Sequence, residues 1–232
     1  MRARLLQTAL LLAGVVQPVV AQVGTTPDQS PFRDLEKRQD ITLLAGPSFG
    51  GRDKVGAAPR GGVAVGLRYD IRLGNSPLAF TSMFVRQAAT RDILQPGQPL
   101  TNRNGGSVSR ALNFFDAAFT LLLTGSKSWH SIVPSVTIGA GLVSGGGITD
   151  SSNFNFSNKF APNVGFGVKY ARDRSRWTLR ADVTNRIYNV KYPDRFRDTT
   201  PGVPRIVAPG TNGGWTRNTM VTLGLVREIG RR

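Results

Sequence analysis

At 232 residues the chain suffices for one ordinary domain or one barrel. It has no cysteine and a single histidine, His130, which excludes disulfides, thiol catalysis, thiolate metal ligation and any multi-histidine metal site. Its net charge of +16 is spread along the whole length and often alternates within apolar segments, so it fits an anionic lipid surface better than the clustered patch that nucleic acid requires.

The first 21 residues predict a secretory signal peptide. Arg2 and Arg4 open it, an apolar run covers Leu5 to Val16, and the small residues of Gln17 to Ala21 suit cleavage, leaving Gln22 to begin the mature chain. Residues 22–40 then form a periplasmic N-terminal segment. Within it Asp28 to Asp40 is a charged leader, with a short helix as one form it can take and no assignable task. Beyond residue 22 no apolar run approaches the ~18 residues of a membrane helix; the longest, Ala117 to Leu123, contains Thr120. A membrane crossing by the mature chain is therefore expected to use strands.

Eight segments alternate with period two between residues 41 and 232. The first, Ile41 to Gly50, is apolar at Ile41, Leu43 and Phe49. The second sets Val63, Val65, Leu67, Tyr69, Ile71 and Leu73 against Ala64, Gly66, Arg68, Asp70 and Arg72. The third, Leu78 to Ala88, carries apolar residues on both parities. The fourth, Ser109 to Thr124, opposes Phe115, Ala117, Phe119, Leu121 and Leu123 to Asp116, Ala118 and Thr120. In the fifth, Ile132 to Leu142, the small residues are Ser135, Thr137, Gly139 and Gly141; in the sixth, Phe160 to Tyr170, the minor parity holds Asn163, Gly165, Gly167 and Lys169. The seventh sets Trp177, Leu179, Ala181, Val183 and Ile187 against Arg180, Asp182, Thr184 and Arg186. The eighth, Thr219 to Ile229, sets Val221, Leu223 and Leu225 against Met220, Thr222 and Gly224.

Connections alternate in length. Gly74 to Pro77, Gly125 to Ser128 and Arg172 to Ser175 are short; Gly51 to Gly61, Thr90 to Val108, Ser144 to Lys159 and Tyr192 to Gly214 are long. Short periplasmic turns and long outer loops give this order in a transmembrane barrel. A soluble ligand-binding barrel would put the bulky parity inward and dress the other with Lys, Glu and Thr. Here the other parity is rich in Gly and Ala, which leave room for buried Arg and Asp inside a narrow barrel, so the bulky parity is expected to face lipid. Leu121 and Val164 are then expected near the midplane on that face, with Gly165 pointing inward. Tyr69, Trp129, Tyr170 and Trp177 mark an inner aromatic girdle, and Phe49, Phe160, Tyr192 and Trp215 an outer one.

The fold class expected is all-β, an eight-stranded antiparallel up-and-down transmembrane β-barrel. Over about residues 41 to 229 this architecture resembles the small outer-membrane β-barrel families, the transmembrane domain of OmpA and the OmpX and OmpW group. The resemblance implies a place in the bacterial outer membrane and insertion by the barrel-assembly machinery. Family members usually end on an aromatic residue; this chain ends Glu228-Ile229-Gly230-Arg231-Arg232.

Arg68, Asp70, Arg72, Asp116, Lys169, Arg180, Asp182 and Arg186 all fall on the inner parity and are expected to pair into a salt-bridge core that fills a monomeric barrel. The alternative is a narrow pore for small solutes or hydrophobic molecules; five bases against three acids lean weakly toward a gated, slightly anion-favouring path. A lipid-modifying enzyme is a weaker alternative: Ser131 adjoins His130, but strand neighbours point to opposite faces. Gly145-Gly146-Gly147 lacks the context of a phosphate loop and reads as an ordinary loop. Loop cations Arg52, Lys54, Arg60, Arg91, Arg103, Lys191, Arg195, Arg197 and Arg205 are candidates to meet lipopolysaccharide phosphates. No cofactor is expected.

Overall fold

Alternation becomes strand almost wherever the sequence carries it. A computed structural model describes residues 30–53, 55–96, 98, 100–145, 154–171, 175–197, 205–208 and 210–230. The expected signal peptide, residues 22–29, Lys54, Gly146, Gly147 and the turn residues 172–174 lie outside the described residues. The described strands are β1 (Phe32–Asp34), β2 (Gln39–Gly50), β3 (Gly62–Arg72), β4 (Leu78–Leu94), β5 (Asn104–Leu122), β6 (Lys127–Trp129), β7 (Ile132–Ser144), β8 (Lys159–Tyr170), β9 (Trp177–Lys191) and β10 (Gly213–Ile229). Among the described residues no helix is long and apolar enough to cross a membrane.

β2, β3, β4, β5, β7, β8, β9 and β10 pair antiparallel with their neighbours in chain order, and β10 returns to β2, so the sheet closes. The stagger of that closure can be walked. Asp40 faces Asp70, then Thr81, Ala118, Gly139, Asn163, Arg186 and Asn218 across successive strands. Asn218 then faces Gly50, ten residues above the start on the same strand. Closure leaves no free edge within this ring, and the stagger sets the tilt of the strands.

The parities divide as the pattern requires. Leu43, Val63, Val65, Leu67, Phe115, Phe119, Ile138, Leu142, Val164, Leu179 and Leu223 stand exposed on the outside, while Ala64, Ala118, Ala161 and the predicted charges other than Arg72 are buried within. The ambiguous third segment resolves the same way, with Phe80 and Phe84 outward and Met83 and Val85 inward. An outer surface this apolar with an ionic interior is arranged for hydrocarbon, with water excluded from both.

Three local expectations are corrected. The connection expected at Thr90 to Val108 is largely strand, because β4 runs to Leu94 and β5 begins at Asn104. This hairpin rises above the ring: β3 pairs with β4 up to Gln87 only, and β7 reaches β5 only at Asn113. Its residues escape the lipid criterion because both parities there are small or polar, as at Ala88, Ala89, Thr90 and Arg91. The short turn at Gly125 to Ser128 is instead part of a longer connection containing β6, which pairs with β1 and ends in a tight turn at His130 and Ser131. Both turn residues have positive φ, 47° and 66°, a conformation uncommon outside glycine. Leu121 is not near the midplane, since it pairs with Leu78, the first residue of β4.

Val164, by contrast, pairs with Ile138 at the middle of β7. Depth therefore separates the two positions. Val164→Arg should cost about 2–4 kcal/mol of folding free energy and Leu121→Arg about 0–1 kcal/mol. Denaturant titration of the refolded barrel in phospholipid vesicles reads both values; equal costs would contradict the assigned depths.

Candidate functional site

The interior is built in layers, each from side chains that adjacent strands deliver to one height. At the periplasmic end the chain between β1 and β2 crosses the mouth. β1 pairs with β6 beside β7, whereas β2 lies on the far side of the ring, between β3 and β10. Leu35 is buried on the way, against Val133, Ala171 and Leu122. Arg72 Nη2 donates to the Leu35 carbonyl (2.7 Å) and to the Lys37 carbonyl, so this predicted interior charge is half-buried and holds backbone. The leader that had no assignable task forms, from residue 32 on, the floor of the barrel.

Just above the floor Lys169 Nζ lies 2.7 Å from Asp40 Oδ2 and 3.2 Å from Glu228 Oε1. Higher, two arginine–aspartate pairs sit side by side. Arg68 donates Nε and Nη2 to Asp70, both at 2.8 Å, and Arg180 Nε reaches Asp182 at 2.7 Å. Arg68 Nη1 and Asp182 Oδ1, 3.7 Å apart, link the two pairs. A run of threonine hydroxyls backs them, Thr81 to Thr120 at 2.7 Å and Thr120 to Thr137 at 2.8 Å, and Arg68 donates into it at Thr120. Above this, Arg186 is wholly buried and clamps Asp116 Oδ2 at 2.6 Å, while Asn163 donates to the other oxygen at 3.2 Å. The Arg186 guanidinium also lies 4.9 Å from the Phe114 ring.

Glycines make the space for this. Asp116 pairs across with Gly141, and Asp182 with Gly167. A Cβ at Gly141 or Gly167 would run into the facing carboxylate. The extracellular end is closed by an apolar cluster in which Leu112, Phe114, Phe154, Phe156, Tyr188 and Phe196 are buried. A cavity of about 20 Å³ lies beneath the two central pairs, lined by Asp40, Asp70, Arg72, Lys169, Arg180 and Leu35 among others; that is room for about one water molecule.

The predicted charges thus come together, Arg72 excepted, and two carboxylates complete the set. Asp40 closes the expected leader, and Glu228 lies within the expected eighth strand without being among the expected interior charges. With them four of the predicted bases, Lys169, Arg68, Arg180 and Arg186, meet five acids, so the layers above the floor carry no excess of positive charge. Both carry a signal in the register: Asp40 has the inner parity one residue before the expected first strand, and Glu228 has it at the end of the expected eighth.

On the outside, Phe49, Trp129, Phe160, Tyr170, Trp177 and Trp215 are exposed and Tyr69 is half-buried. Tyr192 is a correction: it is only 5% exposed, stacks on Phe196, and its hydroxyl donates to Asp53 Oδ2 at 2.7 Å. Burial, and then the Asp53 carboxylate, raise its phenol well above the ordinary range. Position at a strand end placed it at the right height, but the inner parity of β9 turns it into the loop core. Arg91 is a second correction, being 2% exposed and 4.0 Å from the Phe154 ring, not available to lipid phosphates. Arg60 and Arg197 pair with Asp92 and Asp194. His130 is exposed, edge-on to Trp129, in a turn and not on a strand.

No family model and no curated protein matches the chain. Among solved structures it is similar to the N-terminal β-barrel domain of Pseudomonas aeruginosa OprF, at 12% identity and TM-score 0.42 over 83% of this chain and 99% of that one. It is similar to the outer membrane enzyme PagL at 14% identity and TM-score 0.39, over 82% and 99%. Ail, the attachment invasion locus protein of Yersinia pestis, solved with the heparin analogue sucrose octasulfate, is similar at 9% identity and TM-score 0.43, over 83% and 99%. The likeness is one of fold alone.

Removing half of a buried pair leaves the other charge without compensation. Asp116→Ala should therefore cost about 3–5 kcal/mol, and Asp116→Ala with Arg186→Met should recover most of it. Unfolding of both variants in vesicles tests the pair; a single variant within about 1 kcal/mol of wild type would show that Arg186 needs no partner.

Proposed function

We propose that this chain, an eight-stranded β-barrel of the bacterial outer membrane, is a closed structural element of the envelope and not a conduit. The observation that carries this is the filling of the bore: among the described residues floor, ion-pair layers and apolar cap follow one another, and the cavity beneath the central pairs has room for about one water molecule. A solute path would require several of these layers to part together, each held by charge-assisted bonds or close packing.

The barrel is read as non-catalytic. The Ser and His that invite an enzyme reading sit in consecutive left-handed turn positions at the periplasmic rim, with His130 against Trp129 and the Ser131 carbonyl accepting from Ala171. Its partners are outer-membrane lipids, supported by the apolar belt on every strand of the ring, and the barrel-assembly machinery that inserts such chains. A belt this continuous also supports a monomer.

Planar-bilayer recording of the refolded protein tests the reading. The expected result is no steady conductance. Discrete, long-lived openings in the wild type would overturn it and favour the narrow pore.

A further inference from the structure

The outward face of β9 and β10 changes character at its extracellular end. Leu223 and Val221 continue the apolar belt up β10, and above them come Arg217 and then Trp215, both exposed, the latter to 67%. Arg217 faces Ile187 across the pair and Trp215 faces Asn189; Lys191, exposed two residues further on, tops the same face of β9.

The chain leaving β2 is pinned to this corner. Gly51 N–H donates to the Arg217 carbonyl at 2.6 Å, and the Thr216 hydroxyl donates to the Gly51 carbonyl at 2.8 Å. The Arg217 stem lies against Gly51, where an added Cβ would come within 2.9 Å of its Cγ. Arg52, exposed, follows directly.

What sets this corner apart is that three cations without a carboxylate partner stand around one exposed indole. Arg60 and Arg197 elsewhere on the extracellular side have their carboxylates. Among the described residues Arg52, Lys191 and Arg217 have none. Asp53, the nearest acid in the chain, is turned inward, accepting from the Tyr192 hydroxyl at 2.7 Å and from Ala58 N–H at 2.8 Å.

We propose that Arg52, Arg217 and Lys191, beside Trp215, bind the phosphate of an anionic outer-leaflet lipid. This rests on the outer-membrane reading above and adds a defined site to it. Guanidinium forks suit phosphate oxygens, and an exposed indole sits favourably at headgroup depth. A lipid is favoured over a soluble polyanion because Arg217 and Trp215 stand on the lipid-facing parity, above Thr219, Val221 and Leu223, so a bound phosphate brings its acyl chains toward the belt. Loop apices would meet a soluble polyanion first.

The test is native mass spectrometry of the full-length barrel with bisphosphorylated lipid A and with the same lipid dephosphorylated. Wild type should retain the phosphorylated form about tenfold more strongly or better. Arg52→Gln with Arg217→Gln should abolish the preference, and Lys191→Gln alone should reduce it. Arg195→Gln, an exposed cation beyond the patch, should keep it. An equal retention of both lipids by wild type, or a preference that survives the double substitution, would overturn the site. Inositol hexakisphosphate bound without lipid and lost in the double variant would assign the patch to a soluble polyanion instead and equally overturn it. Resistance to unfolding in cold detergent reads the barrel separately: its loss in wild type fails the barrel reading, whereas its retention without phosphate preference fails this site alone.

Discussion

A charge carried into the bore of an eight-stranded barrel cannot go back to water and cannot avoid its neighbours. The bore is only as wide as the side chains that fill it. Lys169, Arg68, Arg180 and Arg186 each meet a carboxylate there, at heights that climb from the floor to the apolar cap. The small residues opposite, the threonine hydroxyls and the placement of Asp40 and Glu228 all follow from satisfying those four cations. The outer face obeys the complementary rule: having no partners to find, it needs only to be apolar.

Period-two alternation made the ring legible because lipid on one side and charge on the other hold every strand to one register. Where that two-sided contrast lapses, the sequence falls silent. Above Gln87 and Asn113 the hairpin stands clear of the ring, and its inner face turns Ala89 and Arg91 into the loop core, so its alternation sets no bulky apolar parity against a charged one and reads as loop. β6 is three residues long, too short for any period to appear. Tyr192 and Arg91 were placed at the right height but on the wrong side, because a loop core above the membrane reverses the usual sense of burial for aromatic and basic side chains. The candidate site was legible as a set of residues but not as a set of pairs: Asp116 meets Arg186, 70 positions away, through a stagger that only closure defines.

The floor of the barrel introduces a different kind of dependence. Between β1 and β2 the chain passes from one side of the periplasmic mouth to the other, leaving Leu35 in a small core of its own and its carbonyl on Arg72. β1 cannot dock until β6 exists, and the β2–β10 seam cannot close until the last strand arrives. The first two described strands thus wait on later parts of the chain, which makes their contacts non-local and the closing of the barrel correspondingly slow.

The ten-residue stagger has an evolutionary corollary. Because ten is even, a walk around the ring returns to the face on which it began, and every strand agrees about inside and outside. Adding or deleting one residue within a strand would turn everything beyond it over, sending arginines to the lipid and leucines to the ion pairs. Two residues would preserve the faces and merely lengthen the strand or shift its register. Descendants of this chain should therefore vary freely in the length of their loops but change their strands in pairs, a parity in the pattern of insertions that no single residue encodes.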